Sequence, residues 1–170
     1  MYLDKGPYDA RAVANYFLDL AKKEGRTIDP MGIQKLVYFA HGWNLAMYGT
    51  PLISQRVEAW DYGPVIRDLY GDFKRFGNLP VEGPVLALKM EPGTMKVRLT
   101  KPELIGHAPA ETLSLLDRVW EVYKPFTSIQ LANMTHVPGS PWKTARDQNL
   151  SVISDDLIRN WFTGQMNAAH

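Results

Sequence analysis

From Asp29-Pro30 to Gly49 the chain reads as one helix that is apolar almost all the way round. Asp29 is a capping residue, Pro30 suits the first helical position, where its missing N–H is no loss, and Gly49 follows the last periodic residue. Between them Ile33, Leu36, Val37, Phe39, Ala40, Trp43, Ala46 and Met47 spread over most of the circumference. A surface helix confines its apolar residues to one stripe, so this rod has to be enclosed by other elements. The chain is therefore limited to folds that wrap a body around a central helix. One narrow face breaks the pattern, because Gln34, Tyr38, His41, Leu45 and Tyr48 fall in line along it. Such a line is either a set of core side chains whose polar tips are satisfied by neighbours, or the floor of a groove for a partner, with Tyr62 as a wall.

The segments around this helix are mostly helical too. Val13, Phe17, Leu20 and Ala21 recur at helical spacing between Asp9, a cap, and Gly25, a stop. Val65, Ile66, Leu69, Tyr70, Phe73 and Phe76 predict a helix from about Pro64 to Gly77. Leu113, Leu116, Val119, Trp120 and Tyr123 share a face of another, which Lys124-Pro125 ends. Thr127 and Gln130 have the spacing of a capping box, Pro141 starts a short helix, and Ser154 caps a last one through Phe162, with residues 163 to 170 expected to fray. Val85 to Met90 and Met95 to Thr100 read as strands joined at Glu91-Pro92-Gly93-Thr94. Val97 and Leu99 alternate with Lys96, Arg98 and Thr100, as expected of a sheet with one face covered and one wet. The expected architecture is mainly α (α+β): a single compact helical domain over residues 1–170 with a small antiparallel hairpin.

Residues Glu58-Ala59-Trp60-Asp61-Tyr62-Gly63-Pro64-Val65 crowd two large aromatics, a glycine and a proline into one connection. Gly63 permits backbone angles closed to other residues, and Pro64 is expected to open the following helix. If the piece is extended, Trp60 and Tyr62 point to opposite sides, Trp60 into the core and Tyr62 to solvent. This shapes a surface rather than a reaction centre.

The run Ile33-Gln34-Lys35-Leu36-Val37-Tyr38-Phe39-Ala40-His41-Gly42-Trp43, then Pro51-Leu52, Glu58-Ala59-Trp60, Tyr62-Gly63-Pro64-Val65 and Leu69-Tyr70, strongly resembles the Panacea domain of SocA-like antitoxins, proteins often described simply as phage-associated. The likeness resumes in Leu131, Thr135-His136, Pro141-Trp142, Ala145-Arg146 and Ile153-Ser154 through Trp161-Phe162. It implies an antitoxin that holds a cognate protein toxin from an adjacent gene inactive, by covering it or by delivering it to a cytoplasmic ATP-dependent protease. It leaves the toxin's own activity open. The expected partner surface combines Gln34, Tyr38 and His41 with Tyr62, Arg67 and Tyr70 beside the Gly63-Pro64 turn, since loops on rigid supports carry recognition and Tyr and Arg are enriched in interfaces. Trp142 and Arg146, four apart on one face, are expected to staple the structure, with a binding hot spot as the other reading.

Composition narrows the alternatives. The 170 residues are 45% hydrophobic and 22% charged, an ordinary globular balance long enough for one core. No run approaches the roughly 18 apolar residues of a membrane span, and Asp4, Lys5, Gly6 and Pro7 do not make the apolar region of a secretory signal. A cytoplasmic protein is expected. With no cysteine there is no disulfide, thiolate nucleophile or thiolate metal ligand. Net charge of +1, from 19 basic and 18 acidic residues, supplies no field toward nucleic acid. A small DNA-binding regulator is thereby disfavoured, and no clear helix-turn-helix is present to favour it. The sequence holds no phosphate loop, no dinucleotide glycine fingerprint and no HExxH helix, and His41, His107, His136 and His170 lie at no ligand spacing, so no metal or cofactor is expected. Ser140, His136 and Asp147 lie close along the chain, but a triad needs geometry that proximity does not provide. An unrecognised hydrolytic or nucleotide-processing enzyme is the remaining alternative.

Overall fold

The computed structural model describes residues 4–169 and is mainly helical. Seven α-helices run in the order α1 (Ala10–Lys23), α2 (Pro30–Tyr48), α3 (Arg67–Phe73), α4 (Ala110–Tyr123), α5 (Ser128–Thr135), α6 (Pro141–Asp147) and α7 (Asp155–Ala168). Two small antiparallel sheets accompany them. One has the order β2-β1-β5, from β1 (Val57–Trp60), β2 (Gly63–Val65) and β5 (Val152–Ile153); the other pairs β3 (Ala87–Met90) with β4 (Val97–Thr100).

Helix α2 is the axis of the molecule, as its composition demands. It is buried without interruption from Gly32 to Gly42 and packs against α1, α3, α4, α5, α7 and β2. Its ends follow local chemistry: Asp29 Oδ1 accepts from Gly32 N at 2.8 Å, and Gly49 takes the left-handed conformation at φ 70° while donating to Leu45 O. Ser128 Oγ, in the first turn of α5, donates to the same Asp29 oxygen, so one carboxylate ties the starts of two helices together. Gly42 sets how closely α7 approaches, because a Cβ there would lie 2.3 Å from the Phe162 ring. That contact leaves no room for even a methyl group. The Phe162 ring meets Trp43 edge-on, with centroids 5.1 Å apart, and the Trp43 indole N–H donates to Tyr123 of α4 at 2.9 Å.

Several boundaries differ from the sequence reading. Pro64 does not start a helix; it lies in β2, opposite Ala59, and α3 begins at Arg67. Strand β2 is an edge of its sheet, and an edge strand tolerates a residue with no N–H to donate. Helix α7 continues to Ala168, beyond Phe162, and so occupies most of the expected frayed tail, whose last residue lies outside the described ones.

The β3–β4 hairpin pairs Leu88 with Leu99 and Met90 with Val97, so these four share one face, while Ala87, Lys89, Arg98 and Thr100 share the other. The expected alternation is present, but nothing among the described residues covers the apolar face: Leu88 is 74% exposed and Leu99 63%. Period-two spacing dictates which side chains stand together, and says nothing about whether another element lies over them. The hairpin is held at its base, where Asn15 of α1 brackets the backbone of Val85 from both sides and also donates to Pro102 O.

Candidate functional site

Strands β1 and β2 form a tight hairpin whose two-residue turn, Asp61-Tyr62, is closed by the pair Trp60 and Gly63. Gly63 has φ 121°, a conformation that side chains rarely adopt, and a Cβ there would sit 2.9 Å from both Lys35 Nζ and His136 Nε2. Only glycine lets the turn press this closely onto α2 and the end of α5.

Two side chains of α2 hold the returning strand. Gln34 donates to Ile66 O and accepts from Ile66 N, both at 2.9 Å, which fixes the point where α3 begins. Lys35 Nζ donates to Pro64 O at 3.0 Å. From the other side, the Trp142 indole donates to Trp60 O at 2.6 Å, and Arg146 reaches both Ala59 O at 3.2 Å and the Asp61 carboxylate at 2.8 Å. Trp142 and Arg146 thus bind α6 to the far end of β1, and the Trp142 ring also rests on His136. His136 Nε2 is the one buried side-chain polar atom without a hydrogen-bond partner among the described residues.

Beside this hairpin lies a pocket of about 590 Å³, bounded by the start of α2, the Asp61-Tyr62 turn and α3, and continuing to Gly77. That volume lies within the usual range of ligand pockets. Its walls are apolar and aromatic: Met31, Trp60, Tyr62, Leu69, Tyr70 and Phe73, with Gln34, Lys35, Asp61 and Lys74 as polar members. Trp60 stands edge-on to Tyr70 with centroids 4.8 Å apart. The Arg67 guanidinium lies 5.4 Å from the Trp60 ring and is held in place by two bonds to Glu58, at 2.8 and 2.9 Å. Arg67 keeps the Glu58 carboxyl below the usual carboxylate range.

Trp60 is therefore not a core residue. In β1 the inward positions are Val57 and Ala59, which leaves Glu58 and Trp60 on the opposite face, half-buried. Because the chain reverses at Asp61-Tyr62 instead of continuing extended, Trp60 and Tyr62 line the same pocket, with Tyr62 80% exposed.

The polar line on α2 divides along its length. Gln34 reaches the pocket, whereas Tyr38 and His41 are buried in the core and lie on no exposed surface. Tyr38 packs edge-on to Phe162, and burial pushes its phenol well above the ordinary value. His41 Nδ1 accepts from the N–H groups of Leu52 and Ile53, which leaves Nε2 to donate to Asp155 at 2.9 Å. That is a satisfied buried network. Of the six residues expected to meet a partner, Gln34, Tyr62 and Tyr70 line one pocket, and Arg67 is joined to it through Trp60.

Lys35, like Met31, Phe73 and Lys74, lines the pocket without having been among the expected site residues. It is 2% exposed, and burial pushes its ammonium down to about 8. The signal was legible, since a helix enclosed all round must also enclose any cation it carries. Elsewhere, Ser140 is buried and caps α6 through Lys143 N, while Asp147 pairs with Lys143. No hydrogen bond joins Ser140 to His136 among the described residues, no group of three acidic or histidine side chains is placed to hold a metal, and no helix is long and apolar enough to cross a membrane.

A family model described as antitoxin SocA-like, Panacea domain, matches residues 33–143, a span that contains the central helix from Ile33 onward, the β1–β2 hairpin and the whole pocket apart from Pro30 and Met31. The chain belongs to the SocA-like, Panacea-domain antitoxin family. It is 31% identical over 170 residues to antitoxin SocA of Caulobacter vibrioides (strain NA1000 / CB15N), a likeness that covers 95% of this chain and 86% of that protein. No solved structure matches it. In this Panacea-domain chain the pocket walls gather Trp60, Tyr62, Tyr70 and Phe73.

Proposed function

We propose that this Panacea-domain chain neutralises a cognate protein toxin, encoded in an adjacent gene, by binding it at the pocket between the β1–β2 turn and α3. One observation carries the reading: Trp60, Tyr62 and Tyr70 converge on an open cavity, with Arg67 locked against the Trp60 ring, on a turn anchored from both sides. Aromatic residues and Arg are the commonest content of binding hot spots, and a surface that is already rigid loses little entropy when it binds. Tyr62 reaches furthest into solvent and anchors the contact, while the Arg67–Trp60 stack forms its edge. The toxin's working surface is occluded by this contact.

The test is Tyr62→Ala, co-expressed with the growth-arresting product of the neighbouring gene. The expected result is an unchanged melting temperature, a loss of about 2 kcal/mol or more in toxin affinity and failure to rescue growth. If the variant stays folded and still binds and rescues like the parent, the contact lies elsewhere. Rescue that persists in a host lacking the ATP-dependent protease separates occlusion from delivery for degradation.

A further inference from the structure

The charges around the pocket do not balance. Lys35 is 2% exposed, has a single acceptor, Pro64 O, for its three ammonium protons, and has no carboxylate within ion-pair distance among the described residues. Lys74 lines the same pocket and likewise has no ion-pair partner among them. The acid on the lining, Asp61, is engaged by Arg146. A buried cation without a counter-charge is unfavourable. Here its setting is an apolar cavity open to solvent, and the missing group is an anion.

We propose that this pocket accepts a carboxylate carried on an apolar body: an acidic side chain of the partner protein, flanked by apolar residues, entering between Lys35 and Lys74 and packing on Trp60, Tyr70 and Phe73. The proposal rests on reading the pocket as the partner site and adds the chemistry of what enters it. Phosphate fits less well. The nearest long helix, α2, has its first N–H groups capped by Asp29 and begins with Pro30, so a phosphate group would meet a carboxylate where free N–H groups are needed. The lining also lacks an arginine, the side chain whose fork matches phosphate in two bonds. A carboxylate needs less charge and fewer donors, and the aromatic walls suit the apolar stem behind it.

The probes are 3-phenylpropionate and 3-phenylpropanamide, which share a body and differ in charge, titrated into the full isotope-labelled chain while the Trp60 indole and Tyr70 resonances are followed by NMR. The acid is expected to shift these resonances saturably and to bind at least about tenfold more tightly than the amide, a difference of about 1.4 kcal/mol. In Lys35→Met the acid should lose most of its advantage over the amide. If that variant does not fold, Lys74→Gln, at an exposed position, should weaken the acid severalfold and leave the amide unchanged. Equal binding of acid and amide to the parent chain, or no shift of either residue at millimolar probe, overturns the proposal. The titration contains no toxin, so its failure would leave the antitoxin reading standing, and a Tyr62→Ala variant that still bound the toxin and rescued growth would leave the probe result untouched.

Discussion

Lys35 and its neighbour Gln34 face similar surroundings and solve the problem of burial differently. Gln34 is neutral, and its amide nitrogen and oxygen each have a partner in the backbone of Ile66, so neither polar atom is left unpaired. Lys35 carries a charge that one carbonyl cannot balance. The ammonium is pushed down to about 8 by burial, against about 10.4 in an unfolded chain. Between those values the unfolded chain holds a proton that the folded chain has lost, so stability rises with pH across that window. The penalty is fully present below about pH 8 and is relieved as pH climbs toward 10.4, amounting to at most roughly 3 kcal/mol. Lys35→Met should abolish this rise. Urea unfolding of both proteins at about pH 7 and about pH 10 checks it: the variant's advantage at the lower pH should shrink at the higher, and a constant gap would mean that the Lys35 ammonium is not desolvated.

The two hairpins differ at the level of whole elements although both are short and antiparallel. The β1–β2 hairpin is gripped by α2 through Gln34 and Lys35 and by α6 through Trp142 and Arg146. The β3–β4 hairpin is gripped only near its base, by Asn15, and its apolar face of Leu88, Met90, Val97 and Leu99 is exposed. Truncating that face removes little packing. The double substitution Leu88→Ser and Leu99→Ser is expected to change stability by less than about 1 kcal/mol. Leu116→Ala, in the fully buried face of α4, should instead cost about 2–5 kcal/mol. Chemical denaturation measures both, and a large loss from the hairpin pair would mean that its face is packed.

Across the whole molecule, protection should follow the distance from α2. Every other helix except α6 packs on it, and its backbone is enclosed from Gly32 to Gly42, so its amides can exchange only when most of the structure opens. Native-state hydrogen exchange is expected to find the slowest amides in α2 and faster ones in β3 and β4. Slower exchange in the hairpin than in α2 would contradict this order.

How much was legible beforehand depends on the range of the interaction. Asp9, Asp29, Thr127 and Ser154 all cap the helices that they precede, because a cap joins residues two or three positions apart and needs no third party. The same holds for the β3–β4 turn, closed by Thr94 N donating to Glu91 O. The all-round apolar character of α2 also required a surrounding body, which fixed the helical class. What covers a given face was not available in this way. Tyr38 and His41 went into the core because α7 supplies Phe162 and Asp155 from more than a hundred positions away, and Trp60 stayed at the surface because its strand pairs with β5 and turns Ala59 inward. Local spacing specifies which side chains stand together, since that follows from backbone geometry alone; which of those faces meets protein and which meets solvent depends on segments far apart in sequence, and only the tertiary structure brings them together.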